Sequence, residues 1–256
     1  MPFADDLARV AGMLNDAQHI TVLTGAGIST DSGIPDFRGP NGVWTRDPNA
    51  EKMATLQHYL ADPQVRQRAW QHRVTSSAWS AEPNAGHHAL VHLERQHKLV
   101  ALITQNIDEL HQRAGSSPDA VIEVHGTMHW TRCWTCSDRR PMEQSLERVR
   151  LGELDPACLV CATGILKSDT ISFGQALVPE VIDRALDAAE QCDVFLAVGT
   201  SLQVYPIANS VQRARKAGAL VIIVNGEPTK MDALADAILL GSISEILPAI
   251  VAASDR

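Results

Sequence analysis

The chain lacks long hydrophobic runs and an excess of basic residues. No apolar stretch reaches the roughly 18 residues of a membrane span, so we expect no membrane partner. Lys and Arg number 22 against 30 Asp and Glu, a net charge of −8. Binding to nucleic acid irrespective of sequence needs a basic surface, so we expect no nucleic-acid partner either. The first residues contain neither a basic nor an apolar signal region, which favours a cytoplasmic location.

Cysteine is scarce, and four of the five cysteines form two Cys-x-x-Cys pairs. In a chain without a recognisable leader this pattern indicates a metal site rather than disulfides. Four thiolates fill the tetrahedral shell of zinc and leave no position for water, so the predicted zinc is structural. The alternative is redox-active or simply buried thiols. The predicted ligands are Cys133, Cys136, Cys158 and Cys161, and the fifth, Cys192, is interpreted as an ordinary buried thiol.

The third glycine of the usual dinucleotide fingerprint is also missing. A predicted strand, 20–23, runs into a loop with Gly25 and Gly27, but Thr30 stands where that fingerprint has glycine. No acidic residue ends a second strand about 20 residues later, so an ordinary dehydrogenase is disfavoured. The two glycines still allow backbone N–H groups to approach a pyrophosphate. Asp36-Phe37-Arg38 follows in a loop rich in Gly and Pro, which suits closure over a nucleotide.

Short apolar runs alternate with helical patterns along most of the 256 residues. This alternation predicts an α/β fold, a doubly wound parallel sheet of the Rossmann-like type. The predicted strands are 20–23, 99–103, 121–124, 194–198, 220–224 and 238–240, and the predicted helices are 5–15, 64–78, one capped by Asn84 to about 96, and two opening at Pro179 and Pro206. The pattern changes over 129–167. We therefore expect a small zinc module at about 129–174, with helices within about 42–82, beside a large part at about 1–128 and 175–256.

Polar residues follow the predicted strands, at the sheet edge where such folds bind ligands. Thr104-Gln105-Asn106-Ile107-Asp108 offers an amide and a carboxylate, although Asn106 or Asp108 can instead cap the next helix. His125, followed by Gly126, is one of ten histidines. Its imidazole suits a general base at neutral pH, and a structural role is the alternative. The loops 199–201 and 225–227 suit ribose and adenine contacts, or simply form turns.

The motifs at 25–29, 36–38, 104–108 and 125–126 occur together and in order. In this respect the chain resembles the sirtuins, NAD-dependent protein-lysine deacylases, from about residue 5 to about 250. The resemblance implies NAD as co-substrate, acylated-lysine proteins as substrates and a four-cysteine zinc module at this place in the chain.

The resemblance also implies roles for individual residues. Gln105, Asn106 and Asp108 would hold the nicotinamide and its ribose, and Asp108 would bind the carboxamide. The acyl-lysine oxygen would attack C1′ and expel nicotinamide, and His125 would then take a proton from a ribose hydroxyl, giving lysine and O-acyl-ADP-ribose. The implied catalytic residues are His125, Asn106 and Asp108. The implied NAD-binding residues are Gly25, Ala26, Gly27, Ser29, Asp36, Phe37, Arg38, Gln105, Asn106, Ile107, Asp108, Gly199, Thr200, Ser201, Asn225, Gly226, Glu227 and, through its backbone near the adenine, Ile243.

The segment 171–174 resembles the family's substrate strand, along which a peptide adds by backbone pairing through Ile171, Phe173 and Gly174. Ser168 and Gln175 replace the usual Pro and Glu there. Sirtuins that remove acidic acyl groups carry Tyr and Arg three residues apart, where this chain has Trp70 and Arg73. Arg73 would pair with a carboxylate and Trp70 would line an apolar slot; an exposed surface arginine is the alternative.

Two other functions fit the same motifs. One is an NAD hydrolase or ADP-ribosyltransferase, which would expel nicotinamide but use water or another nucleophile as acceptor. The other is a non-enzymatic NAD sensor stabilised by zinc. His125 and the segment 171–174 favour deacylation.

Overall fold

The computed structural model of the chain describes residues 2–37, 39, 42–47 and 50–254. Its strands are β1 Ile20–Thr24, β2 Leu99–Thr104, β3 Val121–Glu123, β4 Gly126–Cys133, β5 Arg139–Pro141, β6 Leu166–Thr170, β7 Val194–Val198, β8 Leu220–Asn225 and β9 Ala237–Leu240. Six of them form a parallel sheet in the order β3-β2-β1-β7-β8-β9. The chain winds outward from β1 and then from β7 in the opposite direction, which confirms the doubly wound fold.

Helices cover both faces of this sheet, and further helices lie in the smaller part of the chain. They are α1 Pro2–Asp16, α2 Val43–Arg46, α3 Ala50–Ala54, α4 Leu56–Ala61, α5 Pro63–Val74, α6 Ala85–Arg95, α7 Leu110–Ala114, α8 Met142–Arg150, α9 Pro179–Glu190, α10 Asn209–Ala217 and α11 Ile243–Ala253, with short 3₁₀ helices at Ala26–Ser32, Ser77–Ser80 and Asp232–Leu234. No helix in the described ranges combines the length and apolar character needed to cross a bilayer.

Alternation along the central strands produces two core layers. Val22 and Leu196 point to the layer that contains α1, α6 and α11. Their neighbours Leu23 and Ala197 point to the opposite layer, which contains α9 and α10. Residues buried on both faces explain why these strands read as nearly continuous apolar runs in the sequence.

The zinc-module region contains a second sheet that the sequence pattern did not predict. It is antiparallel, in the order β5-β4-β6. β4 reads Gly-Thr-Met-His-Trp-Thr-Arg-Cys, and its mixture of polar and apolar residues hides the period of a strand. Helix α10 begins at Asn209 rather than at the predicted Pro206, because the residues from Val204 to Ala208 form turns first.

Candidate functional site

The order of the strands reverses between β1 and β7, so the loops after these strands flank the ligand crevice of the fold. These loops pack backbone to backbone. A Cβ at Gly25 would lie 2.7 Å from the carbonyl oxygen of Gly199, and one at Gly27 would lie 2.8 Å from the Gly199 Cα. The Gly25 N–H donates to Val198 (3.0 Å) and the Gly27 N–H to Gly199 (2.9 Å). Both N–H groups are thus used within the protein, which differs from the expectation that they face a pyrophosphate.

Asn84, at the start of α6, anchors the loop that follows β1. Its Oδ1 accepts from the Gly86 N–H at 2.9 Å, as predicted for an N-cap. Its Nδ2 also donates to the carbonyl of Ile28 (2.8 Å) and to Ser32 Oγ (2.9 Å). Sequence reasoning found the cap but missed this second function, because it joins segments about fifty residues apart.

Three buried polar side chains meet where the loops after β1 and β2 converge. Ser29 Oγ donates to Asp108 Oδ2 at 2.8 Å. Asn106 Nδ2 donates to Ser29 Oγ (3.1 Å) and to the carbonyl of Gly25 (3.2 Å). The structure therefore brings together Ser29, Asn106 and Asp108, which the sequence assigned to one site from separate motifs.

Burial raises the pKa of Asp108, against the opposing effect of hydrogen bonds from the Leu110 N–H and the Ser29 hydroxyl. The Leu110 N–H donates to Oδ1 at 3.0 Å, so Asp108 also bonds to the first residue of α7, although the N-cap residue of that helix is Glu109. A carboxylate offers about four lone-pair sites, and these two bonds leave others for a ligand amide.

The tautomer of His125 follows from its partner. Its Nδ1 lies 3.0 Å from the carbonyl oxygen of Gln105, and because a carbonyl only accepts, Nδ1 carries the proton. Nε2 is then the basic nitrogen. Burial lowers the pKa of His125, partly offset by the bond to Gln105, so the ring is neutral at pH 7. The next residue must be glycine: Gly126 has a φ of 71°, and a Cβ there would lie 2.2 Å from the carbonyl oxygen of Asp169.

A buried chain of hydrogen bonds lies beneath this site, and the sequence did not predict it. The Asn106 N–H donates to Thr104 Oγ1 (3.1 Å), and the Thr24 hydroxyl donates to the same oxygen (2.9 Å). Thr24 Oγ1 lies 2.9 Å from His111 Nε2, which must then be the donor. His111 packs against His87 with ring centroids 5.0 Å apart. The residues come from four separate segments, and only the buried threonines at the strand ends gave any signal.

Both rings are neutral. Burial lowers the pKa of His87 to about 4 and that of His111 well below its usual value. His87 Nδ1 accepts from the Asn84 N–H (3.3 Å), so its proton is on Nε2. Among the described residues, His87 Nε2 and His111 Nδ1 have no hydrogen-bond partner. The first of these atoms is a donor and the second an acceptor, on rings that pack together without a hydrogen bond between them.

The predicted adenosine loops lie at the same edge of the sheet. Gln105 Nε2 donates to Thr200 Oγ1 at 2.9 Å and so joins the loops after β2 and β7; Ser201 follows in the latter. Asn225 Nδ2 donates to the carbonyl of Glu227 across Gly226 (2.7 Å), so this loop also forms the turn considered as the alternative. Ile243 begins α11, and its side chain is buried in the core.

The expected nucleotide-closing motif is described in part. Asp36 accepts from the Gly39 N–H through Oδ1 (3.0 Å) and from the Val43 N–H through its carbonyl (2.8 Å). The ring of Phe37 is 44% exposed. Arg38 lies outside the described residues.

The four predicted metal ligands converge. Their sulfur atoms all lie within 4.8 Å of one another, with Cys133 to Cys161 at 3.7 Å and Cys136 to Cys158 at 3.6 Å. A tetrahedral zinc with Zn–S bonds of about 2.3 Å places its sulfurs about 3.8 Å apart, so the geometry fits. A Cβ at Gly164 would lie 2.3 Å from the Cys133 sulfur, which explains the glycine. The set leaves no open coordination position. Cys192 is buried in a core layer of the large sheet, as predicted for an ordinary thiol.

The backbone of the predicted substrate segment, 171–174, is hydrogen-bonded to neighbouring segments of the chain. Phe173 donates to the carbonyl of Ala54 (2.8 Å) and accepts from the Leu56 N–H (2.9 Å). The Ile171 N–H donates to the carbonyl of His125 (2.8 Å), which ties the segment to the candidate base. The segment lies beyond the end of β6 and makes an isolated parallel bridge from Phe173 to Thr55, and Gly174, with a φ of 79°, turns the chain directly afterwards. The Phe173 ring remains 40% exposed.

The structure corrects the role expected of Trp70. Its side chain has no exposed surface and belongs to the small module's core with Met142 and Leu146 of α8, rather than lining an acyl slot. Arg73 lies one turn later, with its guanidinium 4.7 Å from the Trp70 ring centroid. Its Nη1 donates to the hydroxyl of Tyr59 at 3.2 Å. Arg73 is therefore packed between two aromatic rings rather than exposed, and Tyr59 supplies a phenol that the local motif lacks.

Comparisons with known proteins identify the family. The Sir2 family model matches residues 25–206. NAD-dependent protein deacetylase 2 of Streptomyces coelicolor is 49% identical over 91% of this chain and 96% of its own length. A Sir2 structure with a deacetylated peptide and 3′-O-acetyl-ADP-ribose is 30% identical, with a TM-score of 0.86 over 94% of this chain and 96% of that one. A Sir2 structure bound to a myristoylated histone peptide is 34% identical, with a TM-score of 0.80 over 99% and 98%. With its fold, motifs and cysteine cluster, the chain belongs to the Sir2 family, the sirtuins.

Proposed function

We propose that the chain is an NAD-dependent protein-lysine deacylase, chiefly a deacetylase, that transfers the acyl group from lysine to ADP-ribose and releases nicotinamide. One observation carries the proposal: Ser29, Asn106 and Asp108 form a hydrogen-bonded cluster at the carboxyl edge of the sheet, and His125 is bonded to the backbone of Gln105, the neighbour of Asn106. The relatives are named for this activity, and the solved relative with 3′-O-acetyl-ADP-ribose holds its product.

The cluster of Ser29, Asn106 and Asp108 suits the departing nicotinamide. A carboxamide needs an acceptor for its NH₂ and a donor for its oxygen. The Asp108 carboxylate supplies the acceptor. Ser29 donates to that carboxylate, and Asn106 donates to Ser29, in a buried setting where a directed hydrogen bond is stronger than in water.

The neutral ring of His125 suits the proton transfer. After the acyl oxygen has attacked C1′ and nicotinamide has left, a ribose hydroxyl must lose its proton to attack the acyl carbon. His125 Nε2 is the unprotonated nitrogen because Nδ1 is bonded to Gln105, and the lowered pKa keeps the base available at pH 7. The hydroxyl oxygen bonds to the acyl carbon as its proton passes to Nε2. The carbon–nitrogen bond then breaks as the proton returns to the departing lysine amine, and a water molecule adds to the acyl carbon to complete the O-acyl-ADP-ribose.

Zinc, when bound to the four cysteines, would hold the two Cys-x-x-Cys elbows together and leave the chemistry to the protein side chains. NAD would be bound along the sheet edge by the loops at 25–29, 105–108, 199–201 and 225–227. The exposed Phe37 and the neighbouring Arg38 would close over it.

Nicotinamide release from NAD, measured with acetyl-, succinyl- and long-chain-acyl-lysine peptides and without peptide, tests the proposal. We expect release that depends on an acyl peptide and is largest with acetyl-lysine. Equal release without peptide would identify an NAD hydrolase, and NAD binding with no release would identify a sensor. Unacylated peptide of the same sequence is the matched control.

A further inference from the structure

The start of β4 holds the loop that carries Asp108. The strand begins directly after His125 and ends at the zinc ligand Cys133. The Met128 N–H donates to the carbonyl of Ile107 at 2.9 Å. The Thr127 hydroxyl donates to Glu109 Oε1 at 2.6 Å. Between these two bonds, the side chain of His129 contacts the residue in the middle, Asp108.

His129 is the donor in that contact. Its Nε2 lies 3.2 Å from the main-chain oxygen of Asp108, and a carbonyl only accepts, so Nε2 carries the proton. The same nitrogen lies 3.9 Å from Glu109 Oε2. Trp79 meets the ring edge to face, with centroids 5.4 Å apart. The imidazole is thus held by Trp79 on one side and directed at the loop on the other.

The peptide group that accepts this bond stands next to an unusual backbone conformation. Glu109 has a φ of 58°, in the left-handed region that residues other than glycine rarely adopt. The Asp108 carbonyl belongs to the peptide bond that enters Glu109. A change in its orientation would shift the backbone of Asp108, whose side chain accepts from Ser29 Oγ at 2.8 Å.

We propose that His129 is a positioning residue: its Nε2–H fixes the peptide between Asp108 and Glu109, and thereby aims the Asp108 carboxylate at the nicotinamide site. The inference rests on the role given to Asp108 under the proposed function. It also gives the small module a direct connection to the chemistry, because the donor lies on the strand that leads to Cys133.

Two substitutions separate the N–H donor from the ring. His129→Phe keeps an aromatic ring against Trp79 but removes the donor, whereas His129→Gln loses the ring and keeps an N–H donor of similar reach. We expect His129→Phe to raise the KM for NAD and the nicotinamide inhibition constant by up to about tenfold, the loss of one part-buried hydrogen bond, with the KM for acyl peptide unchanged. His129→Gln should stay within about threefold of the wild type.

A purely structural role would give a different result. It would lower the melting temperature of both variants and leave nicotinamide inhibition of the folded enzyme unchanged, and that result would overturn the proposal. If His129→Phe does not fold, His129→Asn provides the comparison with His129→Gln, because its shorter amide cannot reach the Asp108 carbonyl. Equal nicotinamide inhibition in the Asn and Gln variants would equally overturn it.

Asp108→Asn distinguishes failure of this inference from failure of the proposed function. If Asp108→Asn releases nicotinamide as the wild type does, the role of Asp108 itself is wrong. If Asp108→Asn is impaired while His129→Phe is inhibited by nicotinamide like the wild type, only the inference about His129 is wrong.

Discussion

Acid should destabilise the fold through His87, a residue outside the chemistry. The side chain is fully buried in the first turn of α6, and burial, with a smaller contribution from His88, lowers its pKa from 6.5 to about 4. In the unfolded chain this histidine becomes protonated near pH 6.5, whereas in the folded state it becomes protonated only near pH 4. Stability is therefore fully present above pH 6.5 and is lost as the pH falls toward 4.

The size of the effect follows from the same shift. One pKa unit corresponds to about 1.4 kcal/mol, so the complete contribution of His87 is about 3 kcal/mol. Between about pH 7 and about pH 5, linkage predicts that about 2 kcal/mol of the free energy of unfolding disappears through this group. His111 acts in the same direction, since its pKa is also lowered by burial.

Urea unfolding at these two pH values measures the effect. His87→Gln should be less stable at neutral pH, because the buried site is disturbed, but its stability should change with pH by about 2 kcal/mol less than that of the wild type. His88→Gln, a change at the exposed neighbour, is the matched control and should keep almost all of the wild-type dependence. An identical pH dependence in His87→Gln and the wild type would refute the reasoning.

Three further predictions concern the site. His125→Ala should bind NAD with unchanged affinity in calorimetry but lose at least about 100-fold in turnover; unchanged acyl-peptide turnover would remove His125 from the mechanism. Cys133→Ser should lose zinc in metal analysis and unfold the small module, whose core includes that residue; full zinc content with normal melting would contradict the closed four-thiolate site. Arg73→Ala should weaken turnover of succinyl-lysine peptides more than that of acetyl-lysine peptides; equal losses on both would make Arg73 purely structural, as its packing on Trp70 and Tyr59 also allows.

Local patterns were sufficient for the large sheet and the cysteine cluster. The strand Val194–Val198 has the bounds predicted from its apolar run, and Asn84 caps α6 as its position before the helical pattern indicates. The convergence of the cysteines was predictable because each Cys-x-x-Cys pair can place two thiolates on one ion, and two such pairs complete its tetrahedral shell. In each case the signal lies within a few residues of the chain.

Contacts between distant segments could not be predicted in this way. Nothing near Arg73 in the sequence identifies Tyr59 as its hydrogen-bond partner, because the two residues lie on different helices. Trp70 was assigned to the acyl pocket because its spacing from Arg73 resembles a family motif, but the helix turns that ring into the core. The contact between His87 and His111 likewise depends on how α6 packs on α7.

The central claim is tested most directly by the stoichiometry of a single reaction with NAD and an acetyl-lysine peptide, followed by mass spectrometry. The account predicts that deacetylated peptide, nicotinamide and O-acetyl-ADP-ribose form in equal amounts. With His125→Ala, deacetylated peptide and O-acetyl-ADP-ribose should fall at least about 100-fold, and nicotinamide, which leaves before His125 acts, should be limited to a single turnover. Nicotinamide accompanied by free ADP-ribose and intact acetyl peptide would contradict it.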